Sequence, residues 1–94
     1  MQVEFDLKYE RSKKKIAKRI SIRKIEETEA LFRTDPQHVK LALKNIACRR
    51  DKKKKSIRVL GNDGFRILIS MRGDIACFQD IMDHKKYDRV TKDC

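Results

Sequence analysis

Arg58, Arg66, His84, Lys85 and Tyr87 are side chains of the types needed to break a phosphodiester bond without a metal, if a fold brings them together. RNA carries its own nucleophile, the 2′-hydroxyl. A protein cutting it therefore has three tasks: remove that proton, protonate the leaving oxygen, and stabilise the extra charge on phosphorus. Histidine suits the proton work because its reference pKa is near ~6.5. Arginine offers paired donors to phosphate oxygens, and fixed charge at the reacting group is usually the largest catalytic contribution. Lysine adds charge, and a tyrosine can stack on an extruded base or assist proton transfer.

Each residue also has a plainer reading. His84 is then a surface histidine on a frayed tail, and Tyr87 with Val90 the apolar side of a docked terminal helix. Arg58 and Arg66 become the solvated face of an ordinary antiparallel sheet. Asp83 and Asp88 cap a helix or balance charge, and His38, near Pro36, is structural or idle. No His, Cys, Asp or Glu cluster has metal-ligand spacing and no glycine-rich loop has a phosphate-binding pattern, so neither a metal nor any other cofactor is expected.

The elements that must position these residues follow from hydrophobic period. Val3, Phe5 and Leu7 alternate with polar neighbours over residues 2–7, the signature of a half-buried strand. From Tyr9 the period becomes helical, with Ile16 and Ile20 on the same side and Arg11, Lys13, Lys14, Lys15, Lys18 and Arg19 around them; Ser12 is a candidate cap if the helix starts late. Ile25, Thr28 and Phe32 continue the helical phase behind Ser21, a second candidate cap, and Asp35-Pro36 ends the segment because a residue before proline avoids the α region. A helical hairpin jointed near residues 20–22 is expected. HVKLALKNIA, which follows, fits a short helix or a strand equally.

KSIRVL and FRILISM flank Gly61-Asn62-Asp63-Gly64 and read as a hairpin. A three-residue loop with Gly64 left-handed sets Val59 opposite Ile67 and Ile57 opposite Ile69, so that all the β-branched residues share one face. Arg66 then lies opposite Leu60, with Arg58 diagonal at ~7 Å on the other face. Arg72-Gly73-Asp74 turns the chain again, and IACFQDIM returns as a third strand, bringing residues 81–84 back beside residues 63–66. The expected architecture is one α+β domain over residues 1–94: an N-terminal strand, a helical hairpin, then a three-stranded antiparallel meander with a short C-terminal helix.

Lys and Arg number 25 against 14 Asp and Glu, a formal net charge of +11, which favours a polyanionic partner. Apolar residues make up 39% of the chain and fall in periodic runs, which supports a folded domain despite the charge. No apolar run approaches the ~20 residues of a membrane span, and the first residues lack the order of a signal peptide, so no membrane contact and a cytoplasmic location are expected. Cys48, Cys77 and Cys94 are odd in number and widely spaced, which argues against a disulfide framework and for a reducing compartment.

The succession of LALKNI, a basic stretch, SIRV, GFRILI, GDIACFQDI and a histidine-bearing tail resembles the RelE/ParE toxin superfamily, and IMDHKKYD is similar to the His-Lys-x-Tyr-Asp tail of HigB-type toxins. The resemblance implies a RelE-like toxin of a type II toxin–antitoxin system, a metal-independent endoribonuclease that enters the ribosomal A site, cuts mRNA and is neutralised by a cognate antitoxin protein. It implies that Arg66 contacts the scissile phosphate with Arg58 beside it, that His84 is the general acid or base, that Tyr87 is its aromatic partner, and that Asp88 is the accompanying acid. The arginine that RelE carries just after the last strand is missing, and Lys85 stands nearby. Lys13, Lys14 and Lys18 on the first helix, and Lys52, Lys53, Lys54 and Lys55, would grip ribosomal RNA; a solvated loop is the plainer reading of the second group. ParE-like members share the scaffold but poison a topoisomerase, so a non-catalytic inhibitor or a basic RNA-binding module is the alternative.

Overall fold

The computed structural model describes residues 1–94. The elements run β1 (Gln2–Phe5), α1 (Leu7–Ile16), α2 (Ile22–Thr34), a 3-10 turn (Val39–Leu41), β2 (Lys44–Asn45), β3 (Lys54–Val59), β4 (Asn62–Arg72), β5 (Ile75–Asp83) and α3 (His84–Lys92). They form a five-stranded sheet in the order β1-β5-β4-β3-β2. The meander β3-β4-β5 is its centre. β1 adds in parallel to β5, and β2 adds antiparallel to β3 at Lys44 and Asn45 only.

α1 and α2 cover one face. Tyr9, Ile16, Ile25 and Phe32 from the helices meet Ile57, Val59, Ile67, Ile69, Phe78 and Ile81 from the sheet in the main core. Phe78 touches Phe5, Tyr9 and Phe32 edge to face, each at 5.4 Å between centroids. Cutting it to alanine would cost about 3–5 kcal/mol. The two helices are tied together inside this layer: the Tyr9 hydroxyl donates to Glu29 at 2.6 Å, and Lys13 closes on the same carboxylate at 3.0 Å. Burial and the Glu29 partner push the Tyr9 hydroxyl's pKa well above the ordinary tyrosine range.

The meander register departs from expectation. Ile57 lies opposite Ile67 and Arg58 directly opposite Arg66, and a bulge follows before Val59 meets Asn62. The turn is therefore at Leu60-Gly61, and Gly61, not Gly64, takes the left-handed conformation at φ +70°. α2 holds the tighter turn, since the Leu60 N–H donates to the Thr28 hydroxyl at 2.9 Å. The shift is an even number of residues, so the β-branched face is preserved. A second bulge between β4 and β5 leaves Gln79 unpaired, with Ile69 opposite Phe78 and Leu68 opposite Asp80. The extra residue lets Phe78 and Ile81, three apart, both face the main core.

Other expectations also change. α1 begins at Leu7, with Asp6 at its N-cap position, and Ser12 instead donates to the buried Asp80. Lys54 and Lys55 belong to β3 and do not sit in a loop. Cys48 and Cys94 are joined by a disulfide, contrary to the inference from cysteine count, while Cys77 is free and buried. No helix is long and apolar enough to cross a membrane.

Candidate active site on the α3 face

The face of the sheet opposite α1 and α2 is covered only in part, by α3. A small second core of Ile46, Cys48, Leu68, Met82 and Tyr87, with Val90 and Cys94 beside it, seats this helix. Nine residues are too few for a stable isolated helix. α3 therefore depends on that seat and on its N-cap. Asp83 supplies the cap, accepting the Lys86 N–H at 2.9 Å, and its other carboxylate oxygen pairs with Arg19 at 2.9 Å. The Lys86 amide first, then the Arg19 guanidinium, hold the Asp83 carboxyl below the usual carboxylate range.

Starting the helix at His84 has two consequences for side-chain placement. His84 and Asp88, four apart, share one side, with Nδ1 of the imidazole 3.1 Å from the Asp88 carboxylate and both side chains open to solvent at 53% and 63%. Tyr87 turns inward, and its hydroxyl shares a 2.9 Å hydrogen bond with Ser56 on β3. Nδ1 is thereby engaged and Nε2 has no hydrogen-bond partner within the protein, the arrangement that orients an imidazole for proton transfer.

The arginines come from the sheet. Direct pairing of Arg58 with Arg66 puts their Cβ atoms ~5 Å apart on the α3 side. The Arg66 guanidinium donates to the carbonyl oxygens of Asp63 and Phe65, at the bulged end of the β3–β4 hairpin. It also lies 5.8 Å from the Tyr87 ring centroid, within cation–π range. The His84 ring is 5.9 Å from the same centroid. Tyr87 is thus the piece against which both the imidazole and a guanidinium rest. Arg58 is exposed, and Lys85 is exposed in the first turn of α3.

Of the residues singled out by sequence, His84, Tyr87 and Arg66 meet around one ring, with Arg58 beside Arg66. Lys85 lies next to His84 in the chain, with no ion pair of its own. Stacking of Tyr87 on an extruded base does not fit the structure. The ring is 7% exposed and its hydroxyl is engaged, because helical phase directs position 87 toward the sheet. Lys13 also differs from its expected role: its side chain is 18% exposed and its ammonium is bound to Glu29 between the two helices. Lys14, Lys18, Lys52 and Lys53 are exposed, and Lys54 and Lys55 half-buried, with Lys55 donating to Asn45.

Sequence reasoning overlooked Arg19, whose guanidinium lies 5.1 Å from the Phe65 ring as well as on Asp83. It also overlooked the pairing of Ser56 with Tyr87. Nothing marks Arg19, in the turn after α1, among the many cations of residues 11–19; only a known start for α3 would have singled it out. No group of three His, Cys, Asp or Glu side chains is placed to hold a metal ion.

No protein-family model matches the chain, and no curated protein matches it in sequence. Solved structures do. YafQ from E. coli superposes with a TM-score of 0.74 over 92% of this chain and 96% of its own, at 11% identity. The chain has the RelE-like fold. The E. coli DinJ–YafQ toxin–antitoxin complex matches at a TM-score of 0.74 and 15% identity, over 90% of this chain and 93% of the other. A YoeB/ParE toxin from Agrobacterium tumefaciens matches at 0.58 and 14%, over 89% and 99%. These are structures of the RelE/ParE toxin superfamily. At such identities the likeness is one of backbone, and the chemistry rests on the residues described above.

Proposed function

We propose that this protein is the toxin of a toxin–antitoxin system and that it inhibits translation by cutting mRNA on the ribosome, without a metal. The observation that carries this reading is the meeting of Arg66 and His84 on Tyr87, with Arg58 opposite Arg66. A phosphodiester lying across the pair of guanidinium groups has its two non-bridging oxygens held and its developing charge matched. His84 then works at the edge of the same phosphate. With Nδ1 bound to Asp88, Nε2 takes the 2′-hydroxyl proton, or gives one to the leaving 5′-oxygen. Attack of the 2′-oxygen on phosphorus breaks the bond to the 5′-oxygen, leaving a 2′,3′-cyclic phosphate or its 3′-phosphate hydrolysis product and a 5′-hydroxyl. Lys85 adds charge at the rim, and Tyr87 positions both partners.

A partner role for an antitoxin protein is supported by the DinJ–YafQ complexes, whose toxin component shares this fold. The +11 net charge supports binding to ribosomal and messenger RNA, with Lys14, Lys18, Lys52 and Lys53 among its exposed lysines and affinity that falls steeply with salt. A cytoplasmic site of action follows from that partner.

The reading is tested with purified ribosomes programmed with a defined message. Added protein should produce new 5′ ends on the bound message, carrying 5′-hydroxyls, and His84→Ala and Arg66→Ala should each lower the rate at least 100-fold while retaining the wild-type circular dichroism spectrum. Intact message at stoichiometric protein, with supercoiling by a topoisomerase blocked instead, would establish the non-catalytic alternative.

A further inference from the structure

We infer that Cys48 and Cys94 form a reversible thiol–disulfide clasp that fixes the helix bearing His84, and that its exchange partner is an anionic low-molecular-weight disulfide of the oxidised-glutathione class. The bond joins the irregular segment after β2 to the second residue after α3, spanning 46 positions. Cys48 is buried in the second core, whereas Cys94 is only half-buried at its edge. Disulfides with an accessible sulfur are the labile ones, and in a reducing compartment such a bond cycles and does not merely brace.

The surroundings favour an anionic partner. Two shallow clefts of about 440 and 410 Å³ flank the bond, and both are lined by Cys48 and Cys94 themselves. One also carries Arg49 and Lys52; the other carries Arg50, Lys54 and Arg89 against Asp51 and Asp93. Cations outnumber anions at the sulfurs by five to two. The main core lies on the other face of the sheet, so opening the bond leaves it intact.

The exchange balances. The Cys94 thiolate attacks one sulfur of the small disulfide, forming a mixed disulfide and releasing one small thiol. The Cys48 thiolate then attacks the Cys94 sulfur and displaces the second. Two protein thiols and one small disulfide become one protein disulfide and two small thiols.

The consequence falls on α3. Its N-terminal end is held by the Asp83 cap and the Tyr87–Ser56 bond, but its last turn has only Val90, Cys94 and the covalent link to hold it on the sheet. Reduction removes the link and frees that turn, and a nine-residue helix without it exchanges with unfolded conformers. His84 and Asp88 lose their fixed relation to Arg66 as a result.

The test equilibrates the whole protein with reduced and oxidised glutathione at a series of ratios, followed by acid quench, alkylation in denaturant and mass measurement. Alkylated thiols should fall from three to one as the ratio becomes oxidising, the remaining one being Cys77. Hydrogen exchange in residues 84–92 should slow at least tenfold in the oxidised form, and Cys94→Ser should match the reduced form at every ratio. The oxidised form should also be about a thousandfold harder to unfold globally. Three alkylations at all ratios, or equal exchange of α3 in both forms, would overturn the inference. Neither readout uses RNA cleavage, so the clasp and the proposed nuclease activity stand or fall separately.

Discussion

Two arginines paired directly on neighbouring strands place like charges on one face of the free protein, and a phosphate bound between them would convert that repulsion into binding. Arg58→Gln separates the two effects because Arg58, unlike Arg66, donates no hydrogen bond to the hairpin. Relieving a like-charge cross-strand pair is worth about 0.5 kcal/mol, which in a domain of this size raises the melting temperature by about 2–4 °C at low salt. The same change removes one of two clamps on the developing charge, a loss of about 3 kcal/mol of transition-state stabilisation, or about 100-fold in rate. The assay is thermal unfolding with and without sulfate, beside cleavage of ribosome-bound message. The variant should be more stable than wild type in low salt, gain less from sulfate, and cut at about a hundredth of the wild-type rate. A variant that melts lower in low salt and gains as much from sulfate as wild type would show that the pair does not act as an anion clamp.

Further outcomes follow from the same structure. Tyr87→Phe keeps the ring under Arg66 but leaves the Ser56 hydroxyl without its partner, costing about 1 kcal/mol; chemical denaturation should show that loss while cleavage falls less than tenfold. The Tyr9 hydroxyl is held neutral by burial and by Glu29, so its contribution is complete below the unfolded tyrosine value near ~10 and is lost as pH rises beyond it. Wild-type stability should therefore fall above pH ~10, and Tyr9→Phe, weaker at neutral pH, should show a flatter alkaline limb. Asp83 titrates below the ordinary range, so its contribution is present above ~3.9 and disappears as pH drops through its folded value. Protection of the α3 amides, corrected for the intrinsic exchange rate, should fall as pH drops below ~3.9 in wild type, and less so in Asp83→Asn, which keeps a cap and lacks the Arg19 ion pair.

Much of this arrangement is legible in local pattern. Period-two alternation at Val3 and Phe5 and through the meander, and the seven- and four-residue steps from Tyr9 to Phe32, mark the strands and the helical hairpin. The facing of Arg58 and Arg66 survives the wrong register because an even shift preserves the side of every residue. Their direct opposition does not, since it depends on a bulge that Thr28 of α2 stabilises through the Leu60 amide. Pairing of β1 with β5 joins residues more than seventy apart, and β2 is only two residues long, so neither leaves a local signal. The Cys48–Cys94 bond is hidden for the same reason: separation along the chain says nothing about proximity across a sheet. The His84–Asp88 pair becomes readable once the helix is known to start at His84 behind its Asp83 cap, while the burial of Tyr87 follows from which side of that helix meets Ser56.

Mapping of transcript 5′ ends after brief induction, in cells carrying wild-type protein or His84→Ala, puts the convergence of imidazole and guanidinium groups to the test. Wild type should arrest growth and yield new 5′-hydroxyl ends within translated frames, and the variant, equally abundant and equally folded, should yield none. New ends at undiminished frequency with His84→Ala would mean that the imidazole beside Tyr87 takes no part in the cut.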